Sequence, residues 1–233
     1  MSSITPRQLN ILSQLMGRVT EHVLWNDGLD WIADKQPNAR LITRVGSGNK
    51  TYCRHARGGC EFTLTYGVKM IASKFHYDTA SRWATFAELT TRGYYNSEIT
   101  PLNLLSHTVC HEFTHIIQAI KGWRYDGSVH NKEFYYLLDK LHSNEMADKV
   151  RDHLLHVCQK RSIDVTKMQG QVAQKASVIV FRKDLPVEFD SRDGQTIKCI
   201  VKKVNPKTIT VAPEEPGSHR GWRVPHSMLR LRS

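Results

Sequence analysis

The sequence predicts an α+β protein, a mixed body of helices and strands followed by a small all-β unit. A long helical pattern with an apolar face runs from Thr100 to Gly122. Two alternating, strand-like runs precede it. Several short strand-like runs crowd the last quarter of the chain, where helical periodicity stops.

Each element has its own signals. Thr5-Pro6-Arg7-Gln8 reads as a helix start, with Thr5 as cap, Pro6 in the first turn and Gln8 three residues after the cap. Leu9, Leu12, Met16, Val19 and Val23 follow at helical spacing, and Asp27-Gly28 ends the run. Residues 39–45 and 61–66 alternate like strands, punctuated by Gly46, Gly48, Gly58 and Gly59. Residues 68–74 and 80–91 suit short helices. Thr100-Pro101 repeats the cap-then-proline start; Leu104, Leu105, Val109, Phe113, Ile116, Ile117 and Ile120 build the apolar face that Gly122 ends. Residues 132–143 and 147–160 read as two more helices. The stretch after them is polar, which divides the chain into a body at 1–165, a linker at 166–174 and an all-β unit at 175–233. Strand-like runs at 177–181, 195–201, 208–211 and 221–224 suggest a small antiparallel barrel of the SH3-like kind.

Composition narrows the function classes. The chain has 233 residues, 40% hydrophobic and 24% charged, which are ordinary globular values. No window approaches the length of about 18 apolar residues that spans a membrane. The first residues show no basic region followed by an apolar core, and five irregularly spaced cysteines do not suggest a disulfide scaffold. The expectation is a protein of a reducing compartment, cytoplasmic or associated with the nucleoid or nucleus, with no membrane partner. The net charge of +11 points to a polyanionic partner or to a basic solvated surface. Residues 175–233 carry 12 Lys/Arg against 6 Asp/Glu, net +6; the other 174 carry 21 against 16, net +5. Half of the excess thus sits in a quarter of the chain. Lys198, Lys202, Lys203 and Lys207, with Arg220, Trp222 and Arg223, are the candidate nucleic-acid contacts there, because basic residues near an exposed aromatic suit single-stranded or irregular nucleic acid.

Twelve histidines invite a search for metal spacing. His111-Glu112-Phe113-Thr114-His115 lies inside the long helix. Residues four apart share a helix face, so both imidazoles can reach one ion. Glu112 can reach a water on that ion without ligating it. Zinc is the expected ion, one per chain, since a hydrolytic site favours a redox-inert Lewis acid with an open position. The alternative is a helix with two surface histidines. A catalytic zinc needs a third protein ligand. The metzincin position for it is occupied by Lys121, with Gln118 where that family has glycine, so that family is excluded. Glu133 is a possible ligand of the thermolysin type. His130 is the better candidate, because a helix–loop–helix hairpin would bring it back over the first helix.

His111-Glu112-x-x-His115 followed by His130-Asn131-Lys132-Glu133-Phe134 resembles the SprT/Spartan metalloprotease domain, closely over about residues 100–142 and loosely over about 5–160. In that family a third histidine opens a His-Gly-x-x-Phe-like segment. The resemblance implies a zincin-like fold and a zinc metalloendopeptidase that degrades proteins on DNA, including crosslinked ones. It implies His111, His115 and His130 as ligands and Glu112 as general base. Two features depart from the family. Asn131 stands where glycine is usual, and only Cys158 and Cys199 follow the motif, so no cysteine-based zinc ribbon can form. Trp123, Tyr125, Tyr135 and Tyr136 are candidate oxyanion donors or pocket walls. His107 suits a place behind the ligands or at the surface. His142, His153 and His156 read as ordinary helix residues, and Cys110 as a core residue. A different class of function stays open: a nucleic-acid- or protein-binding module on a non-catalytic protease-like fold.

Overall fold

In a computed structural model of the chain, which describes residues 4–55, 59–124, 129–169, 181–191, 195–205, 208–214, 221–225 and 228–232, the first helix begins where its cap signal lies. The Thr5 hydroxyl accepts from the Gln8 amide at 3.2 Å, and Gln8 Oε1 accepts from the Thr5 amide at 2.9 Å. This helix, α1 (Pro6–Val19), widens into a π-helical turn at Thr20–Trp25, and α2 (Leu29–Lys35) follows. Three strands come next: β1 (Arg40–Gly46), β2 (Tyr52–His55) and β3 (Glu61–Gly67). They form a sheet in the order β1-β3-β2, with β1 parallel and β2 antiparallel to β3. Only Cys53 of β2 is buried, so four residues with a single inward side chain left no readable alternation for this strand.

α1 lies on this sheet. Ser13 Oγ donates to the Tyr66 carbonyl at 2.8 Å, and Gly17 lets the helix come so close that a Cβ there would collide with Thr43. Gly67 has a similar duty at the end of β3. A Cβ there would meet the carbonyl oxygens of Gly48 and Lys50. Backbone oxygens cannot swing aside, so Gly67→Ala is expected to destabilise the body by about 1–3 kcal/mol, read from a urea unfolding midpoint; an unchanged midpoint would show that the strand end can yield.

Short helices α3 (Val68–Ser73), α4 (Tyr77–Ala80) and α5 (Ala84–Arg92) lead to a 3₁₀ turn at Tyr94–Ser97. The long helix is α6 (Pro101–Ile120), capped by Thr100, whose hydroxyl accepts from the Asn103 amide at 3.1 Å. α7 (Lys132–Ser143) and α8 (Met146–Gln159) complete the body. Every residue of α6 from Pro101 to Ile116 is buried, so the helix is enclosed on all sides and not only along its apolar stripe. That enclosure takes His107, His111, Glu112 and His115 out of water. The chain then returns along the body: Val165 O accepts from the Leu102 amide at 2.7 Å, and Gln169 exchanges backbone hydrogen bonds with Phe75 and Tyr77. The first part of the expected linker is therefore tied to the body; residues 170–174 lie outside the described ones.

The chain divides into two compact units, residues 1–172 and 173–233. The second unit is a five-stranded antiparallel sheet of β4 (Pro186–Asp190), β5 (Thr196–Val204), β6 (Thr208–Pro213), β7 (Trp222–Pro225) and β8 (Arg230–Leu231). Its order is β7-β6-β5-β4-β8, a meander whose last strand returns beside its first. Val187, Phe189, Cys199, Val201, Ile209, Val211, Val224 and Leu229 form its own core. β5, β6 and β7 match the expected runs. The run at 177–181 lies outside the described residues except Phe181, which is not in a strand. Among the described residues, no helix of the chain is long and apolar enough to cross a membrane.

Candidate metal centre

α6 places His111 and His115 one turn apart, and the segment entering α7 places His130 opposite them. His130 Nε2 lies 3.1 Å from His111 Nε2 and 3.2 Å from His115 Nε2. Tetrahedral zinc with Zn–N of about 2.0–2.1 Å holds its ligand nitrogens roughly 3.3–3.4 Å apart. The two distances from His130 Nε2 are thus within a few tenths of an ångström of a tetrahedral edge, and the ligand atoms of all three histidines lie within 4.8 Å of one another. The Phe134 ring packs against all three imidazoles, with centroids 4.9, 4.5 and 4.8 Å from His111, His115 and His130.

Hydrogen bonds set which nitrogen of each ring carries the proton. His111 Nδ1 is 2.9 Å from Glu88 Oε2, and an ionised carboxylate can only accept. His115 Nδ1 is 3.3 Å from Gln118 Oε1. The Gln118 amide is oriented by its own donations to the Val129 carbonyl at 3.0 Å and Asn131 Oδ1 at 2.9 Å. Both Nδ1 atoms therefore donate, and both Nε2 atoms present lone pairs. His130 Nε2, near both, can donate its one proton to only one of them. A cation coordinated by all three resolves this conflict, and the donor set fits a metal ion on that ground. The structure thus brings together buried His and Glu groups that could hold a metal ion, with His130 at the exposed rim. Glu133, the other candidate ligand, instead faces Lys132 at 3.7 Å.

Burial sets the charges. It pulls His115 down to about 3, with the nearby His111 adding to the effect, and it lowers His130 too. Burial also opposes charge on His111, but the Glu88 hydrogen bond and charge outweigh it and raise this histidine. Glu88 shows the converse: burial favours its neutral form, and hydrogen bonds from His107 and His111 hold it well below the usual carboxylate range. Glu112 is 7% exposed; burial pushes its carboxyl up, against the pull of His111. Lys74 is buried on the same side, donating to Thr85 Oγ1 and lying over the Trp83 ring, and burial draws its ammonium down to about 7.

Two residues that hydrogen-bond the histidine cluster carry no site signal in the sequence. Glu88 is the only acid of α5 and shares its buried face with Thr85 and Leu89, an i, i+3, i+4 pattern that reads as core positions. Gln118, seen in sequence only as a departure from another family's glycine, orients His115. Asn131 has extended backbone with φ −84°, so glycine's freedom is not needed there. Its Oδ1 caps α7 by accepting from the Phe134 amide at 2.9 Å, and its Nδ2 donates to the Trp123 carbonyl at 3.0 Å. Asn131→Ala removes a helix cap and the anchor beside His130. We expect a loss of about 0.5–2 kcal/mol in chemical unfolding; no loss would show that the cap is dispensable. His142, read from sequence as an ordinary helix residue, is hydrogen-bonded to His107, which is itself fully buried.

Among the candidate oxyanion donors, Tyr135 packs beside the cluster: its ring centroid is 6.5 Å from that of His130, and its hydroxyl donates to Glu88 Oε1 at 3.4 Å. Tyr136 is 51% exposed, under the Lys140 ammonium, and Trp123 lies against the Lys121 ammonium. Tyr125 lies outside the described residues. In the second unit, Lys198, Lys202, Lys203 and Arg223 are exposed. Lys203 and Arg223 both pair with Thr210, so the three form one row across the sheet, while Lys198 pairs with Glu188. Trp222 corrects the expectation of an exposed aromatic. It is half-buried, its ring 5.8 Å from Phe189, because alternation along β7 turns it toward the core. Lys207 and Arg220 lie outside the described residues.

Comparison with protein-family models, with curated proteins and with solved structures finds no match to this chain.

Proposed function

We propose that the chain is a single-zinc metalloendopeptidase of the SprT-like type, with His111, His115 and His130 as ligands and Glu112 as general base. The observation that carries this reading is the convergence of three imidazole Nε2 atoms, two of them within 3.1–3.2 Å of the third on His130, with the buried Glu112 carboxyl close enough for its charge to act on His111. A zinc ion bound there would act as a Lewis acid toward a water and a peptide carbonyl, bringing the water's pKa toward neutrality. Glu112 takes a proton from the attacking water and later delivers it to the departing amine. Burial raises its carboxyl above the usual carboxylate range, the direction that strengthens it as a base.

The substrates on this reading are proteins, including proteins bound or crosslinked to DNA, and the basic second unit, read as an SH3-like barrel, tethers the enzyme to nucleic acid. The Lys203–Thr210–Arg223 row supports that role. The double charge reversal Lys203→Glu with Arg223→Glu in the full chain is expected to weaken DNA binding. It should also reduce the salt slope of that binding by about 1 for each phosphate that is no longer neutralised. A gel-shift titration at several salt concentrations measures this, and an unchanged slope refutes this row as the tether.

A further inference from the structure

We propose that Glu88 is a positioning residue of the metal centre: its carboxylate oxygen Oε2 holds His111 in the ligating tautomer and is itself held by a chain of histidines. The inference rests on the zinc reading above and goes beyond its ligand set. Glu88 Oε2 lies 2.9 Å from His111 Nδ1 and 2.8 Å from His107 Nε2, and the residue is 5% exposed. An ionised carboxylate only accepts, so both imidazoles donate to it. With its Nε2 proton given to Glu88, His107 has a free lone pair on Nδ1, and His142 Nε2 stands 3.0 Å away to fill it. The donors therefore run in one direction, from His142 to His107 to Glu88, and both nitrogens of the fully buried His107 have a partner.

Other contacts lock the chain. His142 stacks on the Tyr94 ring with centroids 3.7 Å apart, and the Tyr94 hydroxyl donates to Asp139. The second oxygen of Glu88 takes the Tyr135 hydroxyl at 3.4 Å. That contact is long, and the two imidazole donors at 2.8 and 2.9 Å are what hold Oε2 against His111. Glu88, His107 and His111 also lie close enough together to suggest a second cation site. The hydrogen-bond geometry argues otherwise. Distances of 2.8 and 2.9 Å are those of N–H···O bonds, and a cation there would need His111 Nδ1 stripped of its proton while Nε2 faces the first site. A carboxylate that fixes the tautomer of a ligating imidazole also makes it more basic, and loss of such a partner typically weakens metal binding about 10–100-fold.

The test uses the full-length chain, zinc competition against a chromogenic chelator, and the visible spectrum of the cobalt-substituted protein. Glu88→Ala is expected to bind zinc about 10–100-fold more weakly and to shift the cobalt spectrum. Glu88→Gln keeps the shape and one acceptor oxygen but loses the charge, so it should fall between wild type and Glu88→Ala. Far-UV circular dichroism checks that each variant is folded. Should Glu88→Ala not fold, the glutamine variant decides. Zinc affinity within about twofold of wild type and an unchanged cobalt spectrum, in either folded variant, overturn the role given to Glu88. A wild-type chain that binds no zinc overturns the zinc reading itself, which keeps the two failures apart.

Discussion

Glu112→Gln is expected to leave one zinc per chain and to lower peptide hydrolysis by about 10²–10⁴-fold, the contribution typical of a positioned general base. Glutamine keeps the size of glutamate and its fit in a site only 7% exposed, but its amide cannot accept a proton. The metal ligands do not depend on Glu112, so zinc content should stay the same. Metal analysis and cleavage of an unfolded protein substrate, run on the same preparation, separate the two effects. Unchanged cleavage would remove Glu112 from the chemistry. Zinc binding without any cleavage by the wild type would favour a binding module on a non-catalytic fold.

The second large effect is expected at His130. His130→Ala leaves two ligands where a zinc site of this kind needs three. We expect zinc affinity to fall by more than the roughly 10–100-fold seen when an outer partner of a ligand is lost. The loss should also appear as stability. A metal held only by the folded state stabilises it by about 4 kcal/mol at a concentration 1,000 times its dissociation constant. Chelation should therefore lower the melting temperature of the wild type and leave that of His130→Ala nearly unchanged. Glu133→Gln is the matched comparison. Because Glu133 faces Lys132 and not the cluster, its zinc affinity should equal that of the wild type. A result in which Glu133→Gln loses zinc and His130→Ala keeps it would reverse the assignment of the third ligand.

How much of the site is legible in the sequence depends on chain distance. His111 and His115 are four residues apart on a helix whose cap, proline and apolar spacing are local signals, so their shared face can be read directly. His130 requires one further step, a hairpin of two helices. Asn131, Gln118 and Trp123 tie that connection down, and those ties are not periodic and leave no pattern to read. The strands β4 and β8 of the second unit escape a sequence reading for a related reason. β8 has two residues, and β4 begins with proline. β8 is too short to show alternation. β4 does alternate, with Val187 and Phe189 buried, but its leading proline reads as a strand breaker, and both form strands because neighbours pair with them.

By itself, the sequence determined the long helices α1, α6, α7 and α8, the division of charge between the body and a basic all-β end, and a pair of imidazoles aimed at one point. These follow from 3.6-residue and two-residue periodicities and from composition, which act over a few residues. Only the tertiary structure decided the state of those imidazoles. Glu88 comes from a helix 23 residues before His111, and enclosure of α6 on all sides limits the partners that each ring nitrogen can find. In water either tautomer of His111 is open. In the buried site an unpaired polar group costs too much, and the Glu88 carboxylate leaves Nε2 as the atom that can bind a metal.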